Sequence, residues 1–263
     1  MDGERAHREV ILMSDSQSHK DHNRSLSHDQ QELAVFHLSL EQLDAQRADI
    51  VGRIQSHISD LSRALVNRNE VIEMATLCAT LGEPLLLLGP PGTGKSLLCS
   101  RFAESLNISA NDRFEYLLTP FTEPSELFGP IDLNALKEGR FIRKPQGSLP
   151  HAKVAFLDEV FKANSAILNA LLGILNNGVY YEEGQPRQAR LKILFAASNE
   201  LPRDRSLAAL SDRFTLKIPV HNTHGDHWDE LLRRGVELEN ERVSGVHSWR
   251  QGAATYIDLL KVR

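Results

Sequence analysis

The sequence has few cysteines and no long apolar run. Its two cysteines, Cys78 and Cys99, lie within apolar helical patterns, so we interpret them as reduced core residues rather than as a disulfide or redox pair. This usage suits a reducing compartment, and we expect a cytoplasmic protein. No apolar run approaches the roughly 20 residues of a membrane-spanning helix, and the N-terminal residues lack the apolar centre of a signal peptide. We therefore expect no membrane span.

A strong excess of one charge is also lacking. Lys and Arg number 30 against 35 Asp and Glu, which gives a formal net charge of −5. No global basic field is therefore available to attract nucleic acid. Residues 1–33 are polar and rich in His, Ser and Asp. Because such a stretch buries too little apolar surface to offset the entropy of ordering, it is expected to be disordered.

Five short apolar runs alternate with helical patterns in the rest of the chain. Unbroken runs of this kind are typical of strands that are buried on both faces, and the alternation predicts an α/β core with a parallel five-stranded sheet flanked by helices. The predicted strands are 85–88, 114–118, 154–157, 193–197 and 215–218, and helices are predicted over 39–65 and 70–81. We assign the core to residues 34–220. Residues 221–263 are predicted to begin a helical lid, with one or two helices from residue 228 onward.

The segment after the first predicted strand fits the phosphate-binding pattern G-x-x-x-x-G-K-[ST]. It consists of Gly89, Pro90, Pro91, Gly92, Thr93, Gly94, Lys95 and Ser96, and Leu97 continues into a predicted helix. Glycines let backbone N–H groups turn toward phosphates, and the helix N-terminus favours negative charge. We expect Lys95 to reach the β- and γ-phosphates of ATP and the Ser96 hydroxyl to bind Mg²⁺.

Polar residues that follow other predicted strands suggest hydrolysis. Asp158 and Glu159 end the run from residue 154, so Asp158 is a candidate Mg²⁺ ligand and Glu159 a candidate base for the attacking water. Asn199 follows the next buried strand and is expected beside that water, although an Asx turn is the alternative. Arg213 precedes the last strand and is a candidate for stabilising phosphate charge in a neighbouring subunit. Arg203 and Arg205 are rival candidates for this role, and a surface or structural ion pair is the alternative for Arg213.

These four features, in this order, resemble the AAA+ ATPase core over roughly residues 61–220. An insert at about 121–148 and a hairpin at about 178–190 are similar to the helix-2 insert and pre-sensor hairpin of the MoxR, magnesium-chelatase and minichromosome-maintenance group. Within that group the chain is identified as a member of the MoxR family, in its RavA-like branch. The resemblance is carried by residues 123–129, 156–159, 166–169 and 197–202.

The resemblance implies an ATPase that uses ATP and Mg²⁺. Lys95 and Ser96 match Walker A, Asp158 and Glu159 match Walker B, Asn199 matches the first sensor, and Arg213 matches the arginine finger. It also implies a homo-oligomeric ring, often a hexamer, a partner with a von Willebrand factor A domain, and chaperone-like work on protein clients or metalloenzyme maturation. Adenine is expected near residues 66–72.

Several alternatives stay open. We find no second-sensor arginine motif after Arg213, so either the lid is short or the chain is a truncation. Residues 137–144 carry a basic cluster that would suit a nucleic-acid motor, but stacking aromatics are sparse there and binding of nucleic acid is not expected. A slow nucleotide-dependent switch or scaffold is a third possibility. The cluster His221, His224, Asp226 and His227 has zinc-ligand types, but a polar loop between core and lid is the preferred interpretation.

Overall fold

The computed structural model describes Val35 and residues 38–263, except for residues 145, 183, 203, 224–226, 246 and 251–253. The segment expected to be disordered, residues 1–33, lies outside the described residues. The α-helices of the described part are α1 (Leu40–Ala64), α2 (Asn69–Leu81), α3 (Lys95–Ser105), α4 (Pro124–Phe128), α5 (Leu133–Lys137), α6 (Ser165–Asn177), α7 (Arg205–Ser211), α8 (Trp228–Ser244) and α9 (Tyr256–Val262). The strands are β1 (Leu85–Leu88), β2 (Arg113–Leu117), β3 (Val154–Asp158), β4 (Val179–Glu182), β5 (Gln185–Gln188), β6 (Ile193–Ser198) and β7 (Leu216–Pro219).

The predicted parallel five-stranded sheet is confirmed. Its strand order is β2–β3–β6–β1–β7, and all four pairings are parallel. Each predicted strand lies within one residue of its observed position. The three central strands, β3, β6 and β1, all end at the same edge of the sheet.

Both faces of the sheet are covered by helices, which explains the unbroken apolar runs. Leu85 and Leu87 of β1 lie in one buried cluster with residues of α1, α2 and α3. Leu86, between them, lies in a second cluster with residues of α6 and α7. Successive side chains of a strand point to opposite faces, so the run of four leucines fills both clusters.

The predicted insert and hairpin are both present. The insert lies between β2 and β3, contains α4 and α5, and closes with a bridge between Ile131 and Arg143. The hairpin is the antiparallel pair β4–β5. The two features touch, because the backbone N–H of Arg143 donates to Glu182 Oε1 at 3.4 Å.

Residues 221–263, which are expected to begin a helical lid, make contacts in two different parts of the molecule. Helix α8 borders a cavity next to the loop at residues 89–94, which joins β1 to α3. Trp249 and the last helix instead lie in the same buried cluster as α1 and α3. The Trp249 indole is fully buried, donates to Glu104 Oε2 at 2.9 Å and lies under the Arg101 guanidinium. Helix α9 therefore contributes to the core, because its apolar side packs against the same cluster as α1. Local sequence patterns do not reveal this contact.

Within the described residues, we find no helix that is both long enough and apolar enough to cross a membrane.

Candidate nucleotide site

The P-loop links β1 to α3 through residues 89–94. Gly94 has φ 81°, in the left-handed region that glycine adopts without strain. Gly89 meets a different constraint, since a Cβ placed there would lie 2.1 Å from the carbonyl oxygen of Val220. Only glycine fits at position 89, and the loop can therefore turn closely over the end of β7.

Lys95 lies inside the loop that precedes it. Its side chain is 7% exposed, and Nζ donates to the carbonyl oxygens of Gly89 at 2.6 Å and Pro90 at 3.0 Å. The Thr93 hydroxyl closes the loop by donating to Pro90 O at 3.1 Å. The buried ammonium is thereby held at the first turn of α3, where anions are favoured.

A cavity of about 290 Å³ joins the P-loop to the carboxyl ends of β3 and β6. Its lining residues are Pro91, Gly92, Thr93, Gly94, Lys95, Ser96, Asp158, Glu159 and Asn199. The structure thus brings together the residues that the sequence placed in Walker A, Walker B and the first sensor. They meet because β1, β6 and β3 are neighbours and parallel, so their carboxyl ends share one edge.

Glu159 is held in an unusual conformation at that edge. Its φ is 53°, a left-handed value that costs energy in a residue other than glycine. Its carboxylate accepts a hydrogen bond from Asn199 Nδ2 at 2.6 Å and pairs with Lys162 Nζ at 3.1 Å. The surrounding contacts therefore fix the carboxylate inside the cavity, where it could accept a proton from a water molecule.

The polar groups of this cavity also fit Mg²⁺. The Ser96 hydroxyl and the Asp158 carboxylate border the same space, and hydroxyl and carboxylate oxygens are the hard ligands that Mg²⁺ prefers. Asp158 Oδ1 additionally accepts from the backbone N–H of Glu159 at 2.9 Å, which orients the carboxylate.

A second cavity of about 620 Å³ adjoins the first and shares Gly92, Thr93 and Gly94 with it. Val66 and Arg68 border this cavity, in the region expected near adenine. Local sequence patterns did not identify the opposite wall, which α8 supplies with Trp228, Leu231, Arg234 and Leu238. The spacing of these residues places them on one face of a helix, but it does not indicate that this face lies beside the P-loop.

Arg68 connects three parts of the second cavity. Its Nη2 donates to Thr93 O in the P-loop at 2.9 Å and to His221 O after β7 at 3.0 Å. Desolvation by burial lowers the pKa of the guanidinium, but arginine stays charged at neutral pH. Sequence reasoning included Arg68 only within a range, because a lone arginine before a helix has no pattern of its own.

Arg213 is not brought to this site. Leu216 pairs with Leu85 at the amino end of the sheet, whereas the P-loop follows Leu88 at the other end. A strand of four residues separates the two ends by about 10 Å or more, and Arg213 is absent from the lining of the phosphate cavity. Its side chain is exposed. The rival Arg203 lies outside the described residues, and the side chain of Arg205 is likewise not described.

The His221 cluster is only partly described. His224 and Asp226 lie outside the described residues, and the described His227 approaches Glu230 with Nδ1 at 3.6 Å. The preference for a polar loop over a zinc site stays a prediction.

The model of one family covers most of the chain. The model for the MoxR domain in the MoxR-vWA-beta-propeller ternary systems matches residues 52–257. The chain belongs to the MoxR family. The chain is therefore a member of an AAA+ ATPase family, and its P-loop, paired carboxylates and parallel sheet agree with this.

Other proteins are similar to this MoxR domain. It is 42% identical over 195 residues to the uncharacterized protein MJ0079 of Methanocaldococcus jannaschii, a match that covers 74% of the chain and 50% of that protein. The chain thus spans about half the length of this relative.

Two solved structures share the fold. A crystal structure of a protein assigned as an ATPase from Cytophaga hutchinsonii aligns with a TM-score of 0.62 and 20% identity, covering 85% of this chain and 65% of that one. The Saccharomyces cerevisiae Hsp104–ADP complex aligns with a TM-score of 0.52 and 16% identity, covering 76% of this chain and 40% of that one. At these identities the likeness supports the fold alone.

Proposed function

We propose that this MoxR domain binds ATP with Mg²⁺ and hydrolyses it to ADP and phosphate. The observation that carries the proposal is the shared cavity that holds the P-loop, Asp158, Glu159 and Asn199. The adjoining cavity of about 620 Å³ falls in the size range of small-molecule sites and is placed to take the base and sugar.

The polar groups of the phosphate cavity each have a role in this scheme. Lys95 and the backbone N–H groups of the P-loop bind the β- and γ-phosphates, and Ser96 and Asp158 hold Mg²⁺, which neutralises phosphate charge when bound. Glu159 accepts a proton from the attacking water. Asn199, which already bonds to Glu159, orients that carboxylate and the water.

The position of Arg213 favours an assembly of several copies. An exposed arginine at the opposite end of the sheet from its own phosphate cavity cannot complete that cavity, but it can complete the cavity of a neighbour. We therefore propose a closed homo-oligomeric ring, a hexamer, in which Arg213 stabilises phosphate charge in trans.

The family supports a proposal for the wider role. A matching model named for MoxR-vWA-beta-propeller systems supports a partner with a von Willebrand factor A domain. We place the domain in the RavA-like branch, as a cytoplasmic chaperone-type motor that remodels protein clients or assists metalloenzyme maturation. A nucleic-acid motor has less support, because Arg140 pairs with Glu138 and Arg143 donates to Gly129 O in the insert.

Two experiments test this proposal. Sedimentation of the Glu159→Gln variant with Mg·ATP should show a ring, whereas Lys95→Ala, which loses the phosphate-binding ammonium, should not assemble with ATP. Affinity capture from the native cell with Glu159→Gln should enrich a von Willebrand-type protein over the Lys95→Ala control. A monomer with full turnover would remove the ring, and strongly salt-dependent capture of DNA would favour the nucleic-acid motor instead.

A further inference from the structure

The loop at residues 119–123, between β2 and α4, presents an exposed aromatic side chain. Phe121 is 88% exposed, although the neighbouring Thr122 is only 2% exposed. The loop is braced internally, since Thr119 N donates to Thr122 Oγ1 at 2.9 Å and Phe121 N donates to Thr119 Oγ1 at 3.2 Å. These bonds make the loop a compact unit whose aromatic group is not anchored in the core.

Asn164 joins this loop to the start of α6. Its Oδ1 caps the helix by accepting from the backbone N–H groups of Ala166 and Ile167, both at 3.1 Å. Its Nδ2 donates to the carbonyl oxygens of Thr122 at 2.7 Å and Pro120 at 3.3 Å. Serine or aspartate also caps helices well, but neither carries the amide donors that reach the loop. The bridge therefore depends on asparagine, whereas the cap does not.

The same segment leads directly to the catalytic carboxylate. A 3-10 helix, Val160–Lys162, separates Glu159 from Asn164 by one turn, and Lys162 pairs with Glu159. The strand before the loop is tied to the same place, because Leu118 N donates to Asp158 O at 2.9 Å. The loop is thus attached to the Walker B segment at two points, one of them the side chain of Asn164.

We propose that Asn164 is a positioning residue that couples ATP in the candidate site to the position of Phe121. The inference rests on the proposed function, since ATP must bind beside Glu159. Phosphate and Mg²⁺ in that cavity change the polar partners of Glu159, and the short segment after it carries the shift to Asn164. Coupling of this kind can be carried by a continuous chain of contacts, which the hydrogen bonds of Asn164 to the two loop carbonyls complete.

The test uses a fluorescent label at the loop. Cys78 and Cys99 are buried, and burial raises the pKa of the Cys78 thiol to about 11 and that of Cys99 well above its ordinary value. A bimane maleimide will therefore react with the thiol that Phe121→Cys introduces, and the parent protein measures any background. Calorimetry of Mg·ATP binding is run on each labelled protein.

Mg·ATP is expected to shift the emission of the labelled Phe121→Cys protein. Adding Asn164→Ser or Asn164→Asp should abolish most of this shift while the melting temperature and the ATP dissociation constant change little, because both residues keep the helix cap. A full shift in both variants, or ATP binding without any shift in the Phe121→Cys protein, would overturn the coupling alone. Absence of ATP binding would overturn the proposed function, and the coupling with it.

Discussion

Asn199 Nδ2 donates to Glu159 Oε1 at 2.6 Å, which links the carboxyl end of β6 to that of β3. The bond matters because Glu159 follows its strand in a left-handed backbone conformation that the surroundings must maintain. Asn199 and Lys162 hold its carboxylate from two sides. We therefore propose that Asn199 orients Glu159 as well as the attacking water.

Substitution of Asn199 by alanine is expected to lower ATP turnover by about 10²-fold, because a misoriented base loses much of its contribution to proton transfer. The dissociation constant of ATP should change little. Steady-state phosphate release and calorimetry measure the two quantities. Asn134→Ala, at an exposed position of the insert, is the matched control. Equal turnover in both variants would remove Asn199 from the mechanism.

Substitution of Arg213 by alanine should lower turnover by about 10³-fold through loss of charge stabilisation in a neighbour's site. Each subunit should still bind ATP, since Arg213 does not line its own cavity. Arg47→Ala, an exposed arginine on α1, is the control. Mixing the Arg213→Ala protein with Glu159→Gln protein should restore part of the activity, because the second variant still assembles with Mg·ATP and supplies an intact Arg213. No recovery over all mixing ratios would argue against action in trans.

Substitution of Arg68 by leucine should weaken ATP binding by about 10- to 100-fold. The estimate follows from about 1.5–3 kcal/mol for hydrogen bonds of a charged donor, here to the P-loop at Thr93 and to His221. Arg68→Lys should recover little, since an ammonium lacks the planar fork of guanidinium. Calorimetry measures the dissociation constant of ATP for the wild type and both variants. An unchanged value for Arg68→Leu would show that the P-loop keeps its conformation without this contact.

The stability of the fold should depend on the pH through His57. Burial lowers the pKa of His57 to about 4, and its Nδ1 hydrogen-bonds to Ser105 Oγ at 3.1 Å. Because the folded pKa lies below the ordinary value of about 6.5, the neutral ring is favoured in the fold. The stabilisation that neutral His57 gives to the fold is complete above about pH 6.5. It is lost as the pH falls toward 4, and the free energy of unfolding then decreases by at most about 3 kcal/mol. Denaturant unfolding of wild type and His57→Gln should show a smaller pH slope in the variant, and identical slopes would contradict this role.

The sequence sufficed for those features whose signal is local. The run Leu85–Leu88 predicts a buried strand because both of its faces are apolar. The glycines that follow it and Lys95 form a pattern that is specific for phosphate binding. The sequence also predicts that Asp158, Glu159 and Asn199 lie close together, because the carboxyl ends of parallel strands lie at one edge of the sheet. The fold and the phosphate cavity were therefore largely predictable.

The remaining features depend on contacts between distant segments. Nothing near Trp249 indicates that Glu104 and Arg101 receive its indole, and the apolar spacing of α9 is equally compatible with a separate lid. The wall that α8 gives to the larger cavity and the bridge from Asn164 to the loop at 119–123 have the same origin. Each of these contacts joins residues that are far apart in the chain. A periodic pattern predicts which face of a helix is buried, but it does not predict which segment covers that face.

The most direct test of the account is to measure ATP binding and phosphate release side by side for the wild type and Glu159→Gln. The amide is nearly isosteric with the carboxylate but cannot accept the proton, so the variant should bind Mg·ATP with similar affinity and lose turnover by about 10²- to 10⁴-fold. A Glu159→Gln protein that hydrolyses ATP as fast as the wild type would contradict the assignment of Glu159, and a wild type that does not bind ATP would contradict the proposed function as a whole.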